Sequence, residues 1–392
     1  MSDAPQWPSR LHRRAEATSR FGDLAERLLP YFERSDPLAD AVVSALEADA
    51  PPSRQQRIDR ALAGDLTDAP EPLRELVESA RRVPPWLDWQ RLERANDVFL
   101  RPGILGGITL GLCSLVHGYA APAGNKPLAF SGRLKERADR RLAETSRFVT
   151  AVTALGGLRP GALGWQLVLR VRLMHAAVRR LLLTSGRWSR EDWAYPINQH
   201  DMLATILLFS NVFVDGVRRF GVHVTAEEAD DYQHLFRWVG ELIGVEPALL
   251  PTTYAEATRL AEFIHLTQGP PDDDSRALVA ALLERPLRGA SSPQEVKRAE
   301  RQVAVATGLC RSLIGDELAD QLGLRRDGHR HLVLGVRLAL QLLERARRGV
   351  PRLNELVRLL GSRYWDLTVT RGLGDEPARY DLPQQLTGMP RQ

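Results

Sequence analysis

Apolar positions recur three and four residues apart along most of the chain, and strict alternation is nearly absent. That is the helical period, so the sequence predicts an all-α protein. Helices are expected over roughly 16–33, 37–49 and 54–63, with Pro51-Pro52 as a break. Further helices are expected near 89–100, 103–120, 132–155, 161–184, 199–220, 226–243 and 253–267. Segments near 275–285, 293–313 and 330–347 complete the set, and the tail after Trp365 is expected to be loosely ordered.

Four capping signatures phase the later helices: Asn198 with Asp201, Thr225 with Glu228, Thr253 with Glu256, and Ser292-Pro293 with Glu295. Pro160 is expected to open the 161–184 helix, because a first-turn proline loses no hydrogen bond. The Pro84-Pro85-Trp86 segment and the Gly269-Pro270-Pro271 loop suggest an N-terminal helical extension (1–83), a core (84–270) and C-terminal helices packed on it (271–392). These are expected to form one globular unit.

Composition narrows the function classes. Lys and Arg number 53 against 49 Asp and Glu, and no basic stripe interleaves with aromatics, so nucleic acid is not expected as a partner. Cys113 and Cys310 stand alone, which argues against a disulfide framework, a zinc site and covalent haem attachment. Both thiols are expected to be reduced and buried. The stretch from Pro102 to Asn125 carries no Lys, Arg, Asp or Glu and is long enough to cross a bilayer. Its six glycines and terminal prolines favour a packed core helix instead. No apolar segment follows Arg13-Arg14 as an export signal requires. The expectation is a soluble, cytoplasmic protein without membrane contact. Its oligomeric state is left open.

Candidate chemistry centres on His175. It is in register with Val168, Val171, Val178 and Leu182, on the apolar face of its helix. Imidazole there is either a hydrogen-bonded core histidine or an axial ligand for haem iron. Arg172 and Arg179 flank it, as propionate partners or as surface arginines. On the 132–155 helix Arg141, Thr145, Phe148 and Val152 share one stripe, so a polar pair continues an apolar line. That pattern fits a helix bordering a cavity with polar contents. Arg141 suits a carboxylate or propionate, Thr145 offers a hydroxyl, and Glu144 adjoins both. The other reading of these charges, with Arg137, Asp139 and Arg140, is a surface ion-pair network.

Several segments, in order, resemble the latex-clearing-protein (rubber oxygenase) family, which includes the MpaB-type oxygenases. They are Pro84-Pro-Trp-Leu-Asp88, Gly118-Tyr-Ala-Ala-Pro122, Gly132-Arg-Leu134, Arg141-x-x-Glu-Thr145, Val171-Arg-Leu-Met-His175-Ala-x-Val-Arg179, Pro196-Ile-Asn-Gln199 and Asp215-Gly-Val-Arg-Arg-Phe-Gly221. The resemblance implies a b-type haem in an all-helical body with a globin-like core. It places the proximal iron ligand at His175, a distal arginine at Arg141 and a distal threonine at Thr145. The implied chemistry is dioxygen-dependent cleavage of a carbon–carbon double bond in an isoprenoid chain.

Two departures qualify that expectation. Rubber-cleaving members carry a lysine before the threonine that can cap the iron, and here the residue is Glu144. A carboxylate is a poor ligand for ferrous haem, so Glu144 is a candidate proton donor or acceptor instead. Without an export signal, a small hydrophobic substrate is expected in place of an extracellular polymer.

A competing metal reading comes from Asp231-x-x-His234 and Glu262-x-x-His265, half of a di-iron bundle signature. Asp231 and His234 are expected beside the buried stripe of their helix. His200, next to Asp201 at a helix start, is expected to line a channel or cap structure. A non-catalytic haem- or lipid-binding carrier is the third reading. The remaining histidines show no evident partners, and no phosphate loop, nucleophile elbow or Ser/His/Asp arrangement is present.

Overall fold

Gly22, at φ 64°, and Pro30 cut the first apolar stretch, expected as one helix over 16–33. The computed structural model, which describes residues 7–130, 133–326, 331–373, 380, 382–383 and 385–386, shows there α1 (Arg14–Phe21), α2 (Leu24–Leu28) and a 3-10 turn, Leu29–Phe32. Asp36 then caps α3 (Pro37–Ala45), its carboxylate accepting from the Ala39 amide at 3.3 Å. Pro51 and Pro52 do not break the chain as expected. They open α4 (Pro51–Ala63), where their missing N–H groups cost nothing. The next helix, α5 (Glu71–Arg81), was not anticipated, although Leu73, Leu76, Val77 and Ala80 form a buried helical stripe.

Helix α6 (Trp89–Leu100) is bent by 87° from the glycine-rich segment that follows. That segment is not a uniform helix. It runs as α7 (Ile104–Thr109), a π-helical turn (Leu110–Ser114) and α8 (Leu115–Tyr119), then α9 (Pro122–Phe130). It lies between two apolar clusters, with Leu110 in the larger and Cys113, Val116 and Ala120 in the smaller. Both cysteines are free and buried, and burial pushes each thiol up to about 12.

The central pair is α10 (Arg133–Thr153) and α11 (Leu163–Thr184). Pro160 lies in the connection rather than at the start of α11, whose N-cap is Ala162. After a single turn, α12 (Arg190–Trp193), the stretch expected as one helix over 199–220 divides at Ser210 into α13 (Gln199–Phe209) and α14 (Asn211–Arg219). Taken together, Gln199–Arg219 is apolar and long enough to cross a membrane by composition, yet most of it is buried within the chain. Next come α15 (Ala226–Leu242), α16 (Tyr254–Thr267), α17 (Asp273–Leu283), α18 (Pro293–Ile314) and the short α19 (Asp316–Gln321). All four expected caps form, with Asn198, Thr225, Thr253 and Ser292 each accepting an amide of the first turn.

The last described helices are α20 (His331–Gly349) and α21 (Pro351–Leu373), so the chain remains helical past Trp365 as far as Leu373. Trp365 itself holds α21 down, buried and stacked on Phe99 with ring centroids 4.6 Å apart. Among the described residues the sole β pairing is an isolated bridge between Leu11 and Gln268. The fold is all-α. Helix α15 packs on α6, and α10 lies against both α11 and α21.

Candidate active site

The site begins where α10 turns back into α11. A Cβ on Gly164 would sit 2.4 Å from the Ala151 carbonyl oxygen, so only glycine allows the two backbones to meet there. This close crossing sets the register between the helices. One stripe of α10 (Thr145, Phe148) and one of α11 (Val171, Met174, His175, Val178) then border a common cavity of about 1980 Å³. Much of its remaining wall is apolar, including Phe209, Phe236, Val239 and Ile243. Val168 and Leu182, expected in line with His175, are packed in the core, so His175 belongs to the neighbouring, cavity-facing stripe.

The His175 ring is neutral. Burial, reinforced by the nearby Arg179 cation, pushes its pKa down to about 4. Its Nδ1 is buried without a hydrogen-bond partner. Burying an unsatisfied polar atom is unfavourable, so this is not the satisfied core histidine of the simpler reading.

Arg172 and Arg179, expected beside cofactor propionates, do not line the cavity. Arg172 makes a bidentate pair with Asp36, at 2.6 and 2.9 Å, and donates to the Leu242 carbonyl. Gly244 makes room for this pair, since a Cβ there would lie 2.2 Å from Asp36 Oδ2. Arg179 is ion-paired with Asp40 and donates to the Pro196 and Ile197 carbonyls. Both guanidiniums thus clamp α11 to α3. Their i+7 spacing and apolar flanks gave no sign of acidic partners more than a hundred residues earlier.

On α10 the Arg141 side chain lies outside the described residues. Glu144 lines the cavity and accepts from Arg140 Nε at 3.1 Å, and Arg140 lines the same cavity. Tyr380 Oη donates to the Glu144 carbonyl at 2.6 Å, bringing the C-terminal segment to this wall. The sequence had placed Arg140 only within a charge run, because adjacent arginines are indistinguishable by period alone.

Four further histidines line the cavity: His12, His117, His200 and His265. His117 and His265 stack with centroids 5.9 Å apart, a pairing of distant helices that no local pattern signals. Burial depresses both, His117 to about 3. His200 Nδ1 lies 3.2 Å from Asp201 Oδ1, and its ring stacks on Phe32.

The di-iron reading fails. Asp231 is held by Arg91 (2.7 Å) and Arg94 (2.5 Å), while His234 Nε2 accepts from the Asp88 amide at 3.0 Å. Both residues are buried under α6, not beside the core as expected. His265 faces His117 instead of joining them, and the described residues contain no cluster of three or more His, Cys, Asp or Glu suited to a metal.

The scaffold is thus all-helical around a large cavity with an extensive apolar wall, and an unpartnered neutral imidazole stands on that wall. Residues 97–345 match the family described as ER-bound oxygenase mpaB/B'/Rubber oxygenase, catalytic domain. The chain belongs to that family. It is 28% identical over 309 residues to the rubber oxygenase of Streptomyces sp. (strain K30), covering 75% of this chain and 70% of that protein. Its fold is similar to that of latex clearing protein LCP in the closed state, with a TM-score of 0.64 and 23% identity over 84% of this chain and 88% of that one.

Proposed function

We propose that this chain is a haem b-dependent oxygenase that attacks a carbon–carbon double bond of a hydrophobic small molecule with dioxygen. The observation that carries the reading is His175. It presents a neutral ring, with one nitrogen buried and unsatisfied, on the wall of an apolar cavity in a chain of oxygenase family. Neutral imidazole is the ligating form, so no proton has to leave before iron binds.

The residues present fit the group. The cavity exceeds the roughly 300–1,000 Å³ usual for a single drug-sized ligand, which supports a cofactor and a substrate side by side. His175 would hold the iron. Arg140 lines the same wall, and Arg141 is the arginine that the family resemblance assigns to a propionate. When bound, haem supplies an iron that activates dioxygen.

The chain's own groups do the rest. Phe148, Val171, Met174, Val178 and Phe236 give the substrate an apolar bed that excludes water. Thr145 lines the cavity from α10 and carries a hydroxyl there. Glu144, steadied by Arg140, is the carboxylate available to hold or move a proton there. Cleavage of C=C by one dioxygen into two carbonyl groups balances without any external reductant.

The test is an absorption spectrum of protein from haem-supplied cells. A Soret band that His175→Ala abolishes is expected. Colourless protein, or a band indifferent to that change, would overturn the proposal. Tightly bound haem with no oxygen consumption across unsaturated substrates would point to a carrier.

A further inference from the structure

The first turn of α13 carries four consecutive polar residues, Asn198 to Asp201, and the fold consumes nearly all of their hydrogen-bonding capacity. Asn198 donates to the Tyr195 carbonyl and to Asp201 Oδ2, and its Oδ1 accepts the Asp201 amide. Gln199 donates to the carbonyls of Ser35 and Gly244 and accepts from the Glu246 amide. Asp201 takes a bidentate pair from Arg10, at 2.7 and 2.9 Å, as well as the Asn198 amide group and His200 Nδ1. One side-chain atom is left over. His200 Nε2 is buried with no partner in the chain, although His200 is 4% exposed and lines the cavity.

The protonation of that ring is set by its neighbour. Burial works against charge on Asp201, but the Arg10 guanidinium and the His200 bond hold it well below the usual carboxylate range. An ionised carboxylate only accepts, so Nδ1 must carry the proton and Nε2 presents a lone pair. Burial keeps His200 below its ordinary value, so the lone pair persists at neutral pH. Phe32, stacked at 4.0 Å, fixes the ring plane. An orphan acceptor in a fixed orientation at the wall of an apolar cavity calls for a neutral donor from whatever occupies it.

We infer that His200 is a substrate-positioning residue whose Nε2 accepts a hydrogen bond from a hydroxyl group on an otherwise apolar substrate. The inference rests on the reading of this cavity as a substrate site. It narrows the substrate class to unsaturated alcohols, and it disfavours carboxylates, which at neutral pH bring no proton and add a second negative charge near Asp201. Pure hydrocarbons leave the acceptor unmet.

The experiment compares 9-decen-1-ol, its methyl ether and 9-decenoate by calorimetric titration of the full chain purified from haem-supplied cells. Wild type is expected to bind the alcohol roughly tenfold more tightly than the ether, and decenoate no more tightly than the ether. His200→Phe keeps the aromatic stack and removes the acceptor, so it brings the alcohol-to-ether ratio close to one. A purely structural role would weaken both probes alike. His200→Gln, which retains an acceptor, keeps a ratio above one. Equal affinities in wild type, no binding of either probe, or a preference for decenoate would each overturn the inference, as would His200→Phe leaving the ratio unchanged. The Soret band, read in the same samples, is expected to survive His200→Phe. Its loss there would overturn the inference by making His200 part of the haem site, whereas its loss in His175→Ala bears only on the proposed function.

Discussion

Arg179 is 1% exposed and is ion-paired with Asp40 on α3, one turn beyond His175 on the same helix. The pair makes α11 a fixed wall, so His175 is placed by its helix's anchoring to α3 and not by any hydrogen bond to its own Nδ1. Asp40→Ala leaves that guanidinium buried without its counter-charge. Loss of a buried partner costs about 3–5 kcal/mol, and the 30% exposure of Asp40 brings the expectation to roughly 2–3 kcal/mol. Urea denaturation measures it. Arg172→Met is expected to lower stability likewise, while the folded fraction binds haem with unchanged affinity. Lost haem affinity at unchanged stability would instead make Arg172 a propionate partner.

Gly164→Ala tests the helix crossing. The added methyl meets the Ala151 carbonyl at 2.4 Å, and a backbone atom cannot swing away as a side chain can. The strain is expected to cost about 1–3 kcal/mol despite alanine's better helix propensity. Thermal melts of the variant should fall accordingly, and a wild-type melting temperature would show that α10 and α11 can separate there freely.

Acid should destabilise the protein partly through His234. Burial first, then Arg91 and Arg237, hold it down to about 4, against 6.5 for the free side chain. Between those values the unfolded chain binds the extra proton, so stability is full above pH 6.5 and declines as pH falls towards 4. The difference amounts to roughly 3 kcal/mol. In His234→Gln the amide oxygen can still accept from Asp88, and stability should fall less over that window. Parallel pH curves for the two proteins would refute the assignment.

Glu144 stands where the family resemblance implies a lysine. Its pairing with Arg140 is a partly exposed i,i+4 contact, worth about 0.3–0.5 kcal/mol. Glu144→Lys should therefore leave stability within 1 kcal/mol of wild type. On the proposed haem, the new amine should shift the Soret band if position 144 reaches the iron. An unchanged spectrum would place it out of reach.

Much of the fold was legible locally. Caps at Asn198, Thr225, Thr253 and Ser292 formed as expected because each is settled within four residues. The reading failed where local signals were ambiguous. Pro51 and Pro52 serve a helix start as readily as a break. Helix α21 persists because Trp365 finds Phe99, a contact across more than two hundred residues.

The sequence by itself determined that the chain is helical, with distinct apolar and polar faces and four capped helix starts, because helical period and capping are short-range properties. Only the tertiary structure decided what those faces meet. Arg172 and Arg179 went to Asp36 and Asp40, and Asp231 went to Arg91 and Arg94. Meanwhile Arg10, 191 residues from Asp201, fixed the tautomer of His200. Which charge finds which partner depends on helix packing, and burial makes each choice binding, since a charge removed from water must take the partner that the fold brings to it.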